Sequence, residues 1–326
     1  MEIVKKIDNI VKYSIYANPS FLSSFKDQID IGYLVENKVI LPFVIIKNKF
    51  LKTLYFPVEI LGENDLEKQQ EFIDKIPVFA KKHFKVTLIR TGNTAVFDCY
   101  PQNAKYCAFG SYIIDLSQSE EQLFSALHSK HRNVIRKAQK DGVLIKHGKE
   151  YQKDVINLMK ETYARQGLSR SMDDNFLSRI NHLGENVSYW ISLDAQGVLQ
   201  GSAIFLWNKN NSCYYLHGGS AQHTATGAMN LLIWEAMVYM KREGVRFFDF
   251  VGARVNPEPG SKLEGIQRFK ERFGSTLKVG YAFELIINKP QYELYKFLLK
   301  IKCFIKRTKY TKSIVEQEIE RGNYSR

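Results

Sequence analysis

The stretch from Val245 to Gly274 constrains the fold more than any other part of the chain, because a strand, a loop and a helix follow one another there. Short apolar runs surround Asp249 and stop at Gly252, which is typical of a central strand. The loop at 256–260, Asn-Pro-Glu-Pro-Gly, continues neither a strand nor a helix. A buried strand followed at once by a helix predicts an α/β fold.

The helix of this stretch carries the residue of greatest chemical interest. Ser261 is placed to cap it, and Ile266, Phe269 and Phe273 fall on one face at helical spacing. Lys270 stands beside Phe269, so we expect its ammonium at the edge of an apolar surface. A cation held there suits an anionic substrate or a developing oxyanion. The alternative is an ordinary solvated surface lysine.

Size and charge set the broad class of the protein. The 326 residues are 44% apolar, which predicts a well-cored globular chain of about two domains. The net charge of +13 favours polyanionic partners, namely nucleic acid, acidic phospholipid or a phosphorylated substrate. The alternative is a basic protein from a basic proteome.

The cysteines and the chain start predict a cytoplasmic protein. Cys99, Cys107, Cys213 and Cys303 lack CxxC or zinc spacing and are expected to be buried thiols. The start at Met1 has no signal-peptide core, and no apolar run is long enough to span a bilayer. The sequence also lacks nucleotide-binding P-loop, serine-hydrolase and zinc-protease motifs and a metal-ligand cluster, so neither a metal nor a cofactor is expected.

The order of predicted elements suggests two related α/β lobes side by side. We place them at residues 1–148 and 149–289, with a helix and basic tail at 290–326. In the first lobe, Asn64 is the predicted cap of a helix that Pro77 should kink or break. A single helix is predicted from Ser117 to Lys140, capped by its first residue or by Ser119.

The tail contains an amphipathic helix from Tyr292 to Phe304. Its apolar face is surrounded by lysine and arginine side chains, an arrangement that suits docking on an anionic membrane. The alternative is a helix that packs its apolar face on the domain and exposes a solvated basic rim.

Two clusters of basic residues are candidate anion sites. Arg132, Arg136 and Lys140 recur every fourth residue on the predicted helix and form a cationic ridge for a pyrophosphate or a nucleic-acid backbone. Arg165 lies near a helix end, with Arg170 in the loop that follows, where a bidentate carboxylate or phosphate contact is possible. The alternatives are a solvated basic face and simple capping of helix carbonyls.

A Gly/Ser/Thr loop between His217 and Gly227 leads from a strand into a helix and offers backbone N–H groups to an anion. Histidine side chains can carry protons near neutral pH, so His217 and His223 are candidate proton carriers. A CoA-dependent acetyltransferase has its pyrophosphate motif in such a loop, but Ala225 here replaces a glycine that the motif uses for close backbone approach. That substitution counts against CoA binding without excluding it.

Several of these stretches together resemble the Fem family of aminoacyl-tRNA-dependent peptidyltransferases, which build peptidoglycan interpeptide bridges. The resemblance runs in order from Leu116 to Phe283. The matching stretches are 128–138 with 141–143, 161–167, 232–236, 248–252 and 265–274, of which the last two are the most specific.

The resemblance implies two tandem GNAT-like lobes with mixed β-sheets flanked by helices, no cofactor, an aminoacyl-tRNA donor and a peptidoglycan precursor as acceptor. The lysine of the family's Phe-Lys motif falls on Lys270, whose implied role is to stabilise the transition state. The candidate substrate contacts are Phe269, Arg165, Tyr163, Tyr215, His217, Arg132 and Arg136. A lipid-linked or nucleotide-linked muropeptide is the expected acceptor, with peripheral contact to the inner membrane surface.

Two other functions stay open at this point. Acyltransferases that modify surface polysaccharide or lipid-linked sugars have the same fold and several of the same motifs, and some use acyl-CoA. A non-catalytic tRNA- or membrane-binding protein is the third reading.

Overall fold

A computed structural model describes residues 1–48, 50–167, 174–209, 211–222, 225–305, 307, 310 and 312–323, without the side chains of residues 11, 174 and 175. The strands are β1 (Glu2–Val4), β2 (Gln28–Glu36), β3 (Val39–Lys47), β4 (Lys52–Phe56), β5 (Leu88–Thr91), β6 (Lys105–Asp115), β7 (Leu144–His147), β8 (Val187–Leu193), β9 (Leu199–Trp207), β10 (Ser212–Ser220), β11 (Phe247–Asp249), β12 (Ala253–Arg254) and β13 (Thr276–Ile286). The α-helices are α1 (Pro19–Ser23), α2 (Leu66–His83), α3 (Glu120–Ala126), α4 (Ser129–Lys140), α5 (Gln152–Arg165), α6 (Asp174–His182), α7 (Ala228–Arg242), α8 (Lys262–Glu271), α9 (Lys289–Ile305) and α10 (Ile314–Glu320).

The chain forms two compact units that do not follow its linear order. The first unit is assembled from Met1–Ser111, Gly252–Pro257 and Lys278–Arg326, and the second from Tyr112–Val251 and Glu258–Leu277. The division of the chain into lobes at residue 148 stays a prediction.

The first unit contains a mixed sheet. Strands β1 to β4 pair antiparallel in sequence order, β4 pairs parallel with β5, and β13 pairs antiparallel with β5. Helix α2 contributes Phe72, Ile73 and Ile76 to an apolar core that it shares with these strands. The later segments 252–257 and 278–323 therefore complete a sheet that the first hundred residues begin.

The second unit contains the sheet order β11-β10-β9-β8-β7, with residues 112–115 of β6 next to β11. The β10–β11 pair is parallel, and the other pairs are antiparallel. Helix α5 packs against β8, β9 and β10, and α7 packs against β7, β8, β9 and α4. The predicted fold class, α/β with mixed sheets flanked by helices, is confirmed.

Three local predictions need correction. The segment from Ser117 to Lys140 is two helices, because Leu127 is extended and the His128 side chain accepts a hydrogen bond from the Lys130 amide at 3.1 Å to start α4. Helix α2 is capped by Asp65 rather than Asn64. It also continues through Pro77, since buried residues on both sides of the proline hold the helix against the core.

Two further sequence predictions concern solvent and membrane exposure. Cys99, Cys107 and Cys213 are buried as expected, whereas Cys303 on α9 is half-buried. Across the described ranges of the chain, no helix combines the length and apolar character that crossing a membrane requires.

Candidate active site

Helix α8 presents polar side chains to the interior of the second unit. Ser261 caps it, accepting a hydrogen bond from the Glu264 amide at 3.2 Å, as predicted. Within the helix the buried residues are Gln267 and Lys270, while Ile266 is 43% exposed. Of the three apolar residues predicted to share one face, Ile266 is therefore exposed, whereas Phe269 is half-buried and Phe273, just after the helix, is buried.

Lys270 is the central residue of this region. Only 8% of it is exposed, and its Nζ donates a hydrogen bond of 2.5 Å to the carbonyl oxygen of Val251. Burial lowers the pKa of Lys270 from 10.5 to about 8, and the nearby charge of Asp249 opposes that shift in part. An ammonium that has lost most of its hydration interacts strongly with any negative charge brought to it.

Val251, the partner of Lys270, has a backbone conformation that is unusual for its side chain. Its φ of 43° lies in the left-handed region, which β-branched residues rarely adopt. The buried carboxylate of Asp249 accepts a hydrogen bond from the Val251 amide at 2.7 Å. Both polar groups of Val251 are thus engaged, one by an anion and one by a cation, and this local strain is typical of functional loops.

Strands β10 and β11 separate at the position where this loop begins. Their parallel pairing stops at Tyr214 opposite Asp249, whereas β10 continues to Ser220. The pairing of β10 with β9 also shifts register between Tyr215 and His217. Among the described strands, residues 215–220 pair with β9 alone, and at the far end of this stretch Thr162 and Arg165 of α5 bind the Ser220 backbone.

Tyr163 and His217 form a hydrogen-bonded pair at this part of β10. The Tyr163 hydroxyl lies 2.9 Å from Nδ1 of His217, and the ring of Phe176 packs against the imidazole with centroids 5.3 Å apart. The pair links α5 to β10 and fixes the orientation of the imidazole.

Tyr215 lies on the same part of β10 and is linked to α8 through aromatic rings. Its phenol folds over Gly218, where a Cβ atom would overlap the hydroxyl, and burial raises the pKa of Tyr215. Its ring centroid is 6.0 Å from that of Phe250, which in turn is 5.4 Å from that of Phe273. The structure therefore places Tyr163, His217 and Tyr215 along β10 beyond its pairing with β11, and the Lys270 ammonium on the loop that follows β11.

Phe269 is half-buried and contacts a histidine that sequence reasoning missed. The imidazole of His131 lies edge-on to Phe269 at 5.3 Å and to Phe273 at 4.6 Å between centroids. Burial, with the charge of Arg272, lowers the pKa of His131 to about 4, so the ring is neutral at physiological pH. The sequence carries no pattern that distinguishes this core histidine from its exposed neighbours.

Arg165 is engaged with the backbone at the end of β10. Its guanidinium donates to the carbonyl oxygen of Ser220 and lies 3.4 Å from Oγ1 of Thr162. The hydroxyl of Thr162 also accepts the Ser220 amide at 3.0 Å. Arg165 therefore ties α5 to a strand carbonyl of β10 rather than capping a helix, and Arg170 lies outside the described residues.

Arg132 and Arg136 lie on α4 at an open cavity of about 570 Å³, which is also lined by Glu120, Glu121 and Phe124. Arg132 donates to the carbonyl oxygens of Ser125, at 2.8 Å, and of Leu127, and so caps the end of α3. The Arg136 guanidinium lies 5.3 Å from the ring centroid of Phe124. The predicted ridge is thus partly engaged by residues of α3 and of the turn that follows it.

The loop before α7 has structural reasons for its composition. Gly227 has a φ of 80°, and a Cβ atom there would overlap the backbone oxygen of Val134. The amide of Ala225 donates to the side-chain oxygen of Gln200 at 2.7 Å. That amide is thereby engaged within the protein, and His223 lies outside the described residues.

The chain is similar to known proteins in sequence and in fold. The family model described as an acetyltransferase (GNAT) domain matches residues 125–271. A lipid II:glycine glycyltransferase of Staphylococcus epidermidis is 28% identical over 124 residues, which are 37% of this chain and 29% of that protein. The equivalent protein of Staphylococcus haemolyticus is 30% identical over 101 residues, 30% of this chain and 24% of that protein. The chain thus matches less than a third of the length of these relatives.

Solved structures show the fold more completely. The crystal structure of FemX covers 90% of this chain and 99% of its own, with a TM-score of 0.70 at 15% identity. The structure of L-PGS from Bacillus licheniformis covers 89% of this chain and 95% of its own, with a TM-score of 0.54 at 12% identity. Residues 125–271 therefore match an acetyltransferase (GNAT) domain, and the chain shares the fold of FemX.

Proposed function

We propose that this protein is an aminoacyltransferase that moves an amino acid from aminoacyl-tRNA to an amine of a peptidoglycan precursor. The observation that carries the proposal is the buried ammonium of Lys270 on the loop that follows β11, inside the matched GNAT domain. The similarity to lipid II:glycine glycyltransferases supports the acceptor class.

In the proposed reaction, the neutral acceptor amine attacks the carbonyl carbon of the aminoacyl ester. A C–N bond forms, the carbonyl oxygen becomes an oxyanion, and the ester C–O bond then breaks. The products are an amide and a free tRNA hydroxyl, and the proton lost by the amine ends on that hydroxyl. Lys270 stabilises the oxyanion and the negatively charged donor end, because a desolvated cation acts most strongly on charge that develops during the reaction.

The other candidate residues would hold the substrates. Tyr163 and His217, hydrogen-bonded to each other, and Tyr215 lie along β10 beyond its pairing with β11, and on this proposal they contact the acceptor. Phe269 would contact the substrate beside Lys270. Arg136 is better placed than Arg132 to meet a tRNA phosphate, since Arg132 is engaged by two backbone carbonyls.

We place this reaction in the cytoplasm, with a lipid-linked precursor as acceptor at the inner membrane surface. The net charge of +13 suits a polyanionic donor such as tRNA. On this proposal, affinity for charged tRNA falls steeply as salt concentration rises, because binding releases counterions from the phosphate backbone.

A second candidate is an acyl-CoA-dependent acyltransferase acting on a surface polysaccharide or a lipid-linked sugar. The match of residues 125–271 to an acetyltransferase domain favours it. The use of the Ala225 amide by Gln200, in the loop where a pyrophosphate would bind, counts against it. Calorimetry with acetyl-CoA separates the two donors.

The deciding experiment is incubation of the purified protein with a pool of charged tRNA and a nucleotide-linked muropeptide, followed by mass spectrometry of the acceptor. We expect a mass increase of one or more amino-acid residues, absent when the tRNA is uncharged. Absence of any product, together with tight binding of acetyl-CoA, would replace the first proposal with the second.

A further inference from the structure

Helix α9 packs on the first unit through one face only. Tyr292 is buried in a cluster with Leu51 and Leu88, and Tyr295 lies against the same cluster. On this side the Lys296 ammonium also forms an ion pair of 2.9 Å with Glu316 of α10. These contacts anchor the helix and fix which of its sides faces outward.

The outward face of α9 is apolar. Phe297 is 61% exposed, Phe304 is 86% exposed and Ile305 is 73% exposed, and Leu294 and Ile301 on the same face are also exposed. Their spacing of three or four residues places them side by side along the helix. Single exposed apolar residues are common on soluble proteins, but a contiguous stripe of five large ones marks an interaction surface.

The rim of this stripe is positively charged. Lys300 and Lys302 are exposed on either side of it, and the exposed Arg307 follows the helix. Helix α9 contains four lysines and one glutamate, Glu293, so its net charge is +3. A cationic rim around an apolar stripe complements a surface that is anionic outside and apolar beneath, which describes an acidic lipid bilayer.

We propose that α9 is a membrane-docking helix that lies in the interface of an anionic lipid bilayer with its exposed stripe facing the acyl chains. Its 17 residues span about 26 Å, and its lysines favour a position parallel to the membrane plane. The docking proposal depends on the proposed function in one respect only. On that function, docking would bring the site to a lipid-linked acceptor. A second copy of the chain suits the stripe less well, because it would bring like-charged rims together.

The test is co-sedimentation of the full chain with vesicles of phosphatidylglycerol and phosphatidylcholine in roughly equal amounts, compared with vesicles of phosphatidylcholine alone. We expect binding to the mixed vesicles that weakens on the neutral ones and at high salt. The double variant Phe297→Gln/Phe304→Gln should lower the partition coefficient at least about tenfold. The double variant Lys300→Glu/Lys302→Glu should lower the partition coefficient at least about fivefold for each lysine replaced.

Matched controls come from α2, on the same unit. Val78 is 74% exposed and Lys81 and Lys82 are exposed, so Val78→Gln and Lys81→Glu/Lys82→Glu change similar surface without touching α9. Both controls should bind as the wild type does. Unchanged melting temperatures would show that each variant is folded.

Two results would overturn the docking proposal. One is equal vesicle binding by the wild type and the Phe297→Gln/Phe304→Gln variant, or no binding by either. The other is a concentration-dependent dimer in analytical ultracentrifugation that the same variant abolishes. Transfer to the soluble nucleotide-linked acceptor serves as a separate readout: if it persists while vesicle binding fails, only the docking proposal falls, and in the reverse case only the proposed function does.

Discussion

The ammonium of Lys270 donates its hydrogen bond to the carbonyl of Val251, a valine held at a φ of 43° while the Asp249 carboxylate binds its amide. The Lys270 ammonium thus binds one end of the strained Val251 residue, and the Asp249 carboxylate binds the other. The arrangement holds the charged nitrogen in place before any substrate arrives, which is the condition for electrostatic stabilisation of a transition state.

Replacing Lys270 by methionine should remove this charge and keep the fold. We expect kcat/KM for transfer to fall at least about tenfold, a loss of ~1.4 kcal/mol of transition-state stabilisation. The measurement is initial-rate kinetics with charged tRNA and muropeptide. Lys262→Met, at an exposed position of the same helix, is the matched control and should retain wild-type kinetics. Equal turnover in the two variants would remove Lys270 from the mechanism.

The rate of transfer should depend on pH in a direction set by Lys270. Its pKa is lowered to about 8, so the ammonium to which we assign a catalytic role loses its proton as pH rises through that value. We expect kcat to fall above about pH 8 in the wild type. In Lys270→Arg any residual activity should lack this fall, because arginine stays protonated. A pH-rate profile of the two proteins tests this, and an identical alkaline limb in both would assign the titration to another group.

The free energy of unfolding should also depend on the protonation of Lys270, but it should rise with pH where the rate of transfer falls. The folded pKa of about 8 lies below the ordinary value of 10.5, so the unfolded chain binds more protons between these values. The free energy of unfolding contributed by Lys270 therefore rises with pH across that window, by up to about 3 kcal/mol. Urea unfolding of the wild type and Lys270→Met at a series of pH values isolates it. The free energy of unfolding of the wild type should rise relative to that of Lys270→Met as pH increases. A constant difference between the two free energies would contradict the burial of the ammonium.

The hydrogen bond between Tyr163 and His217 should contribute to both stability and transfer. Tyr163→Phe removes the hydroxyl and keeps the ring, and we expect a loss of about 1 kcal/mol in the free energy of unfolding. Because the imidazole loses one of the contacts that orient it, we also expect KM for the acceptor to rise more than kcat falls. Tyr189→Phe, a buried tyrosine of β8, is the control and should leave KM unchanged. Wild-type kinetics in Tyr163→Phe would make the pair purely structural.

Three glycine substitutions separate backbone strain from steric overlap. Gly227→Ala combines a φ of 80° with an overlap on the Val134 backbone and should destabilise by at least about 2 kcal/mol. Gly197→Ala has a φ of 81° with open space around it and should cost only about 1 kcal/mol. Gly265→Ala, in helix α8 with open space, should stabilise by about 1 kcal/mol. Chemical denaturation gives all three values, and a neutral Gly227→Ala would contradict the close approach of α7 to α4.

The sequence predicted the fold class well because the spacing of apolar residues, and the residues that begin or end a helix or strand, are local properties of the sequence. Ser261 as the cap of α8 and the strands β8 to β10 follow from residue spacing alone. Lys270 was expected at the edge of an apolar surface and is buried, because spacing gives the face of a helix but not the surface that covers it.

The arginines show the same limit more sharply. Arg132 and Arg165 stand at positions that suit phosphate, yet both side chains turn toward backbone carbonyls of neighbouring elements. The packing of neighbouring elements brings the carbonyl oxygens of Ser125 and Ser220 to these arginines. A sequence pattern does not describe that packing. The left-handed backbone of Val251 likewise could not be predicted, since its side chain favours another conformation.

The first unit draws on three separate segments of the chain, and this has a consequence for its synthesis. Strand β5 pairs with β13, which places Arg90 opposite Glu284. The Arg254 guanidinium forms an ion pair of 3.0 Å with the Glu318 carboxylate. On the ribosome these partners emerge last, so the edge of β5 that β13 covers must stay unpaired until translation is nearly finished. A fragment cut at residue 148 would keep that edge exposed and should aggregate when expressed alone, whereas a fragment cut at residue 290 would retain β13 but lose Glu318, the partner of Arg254.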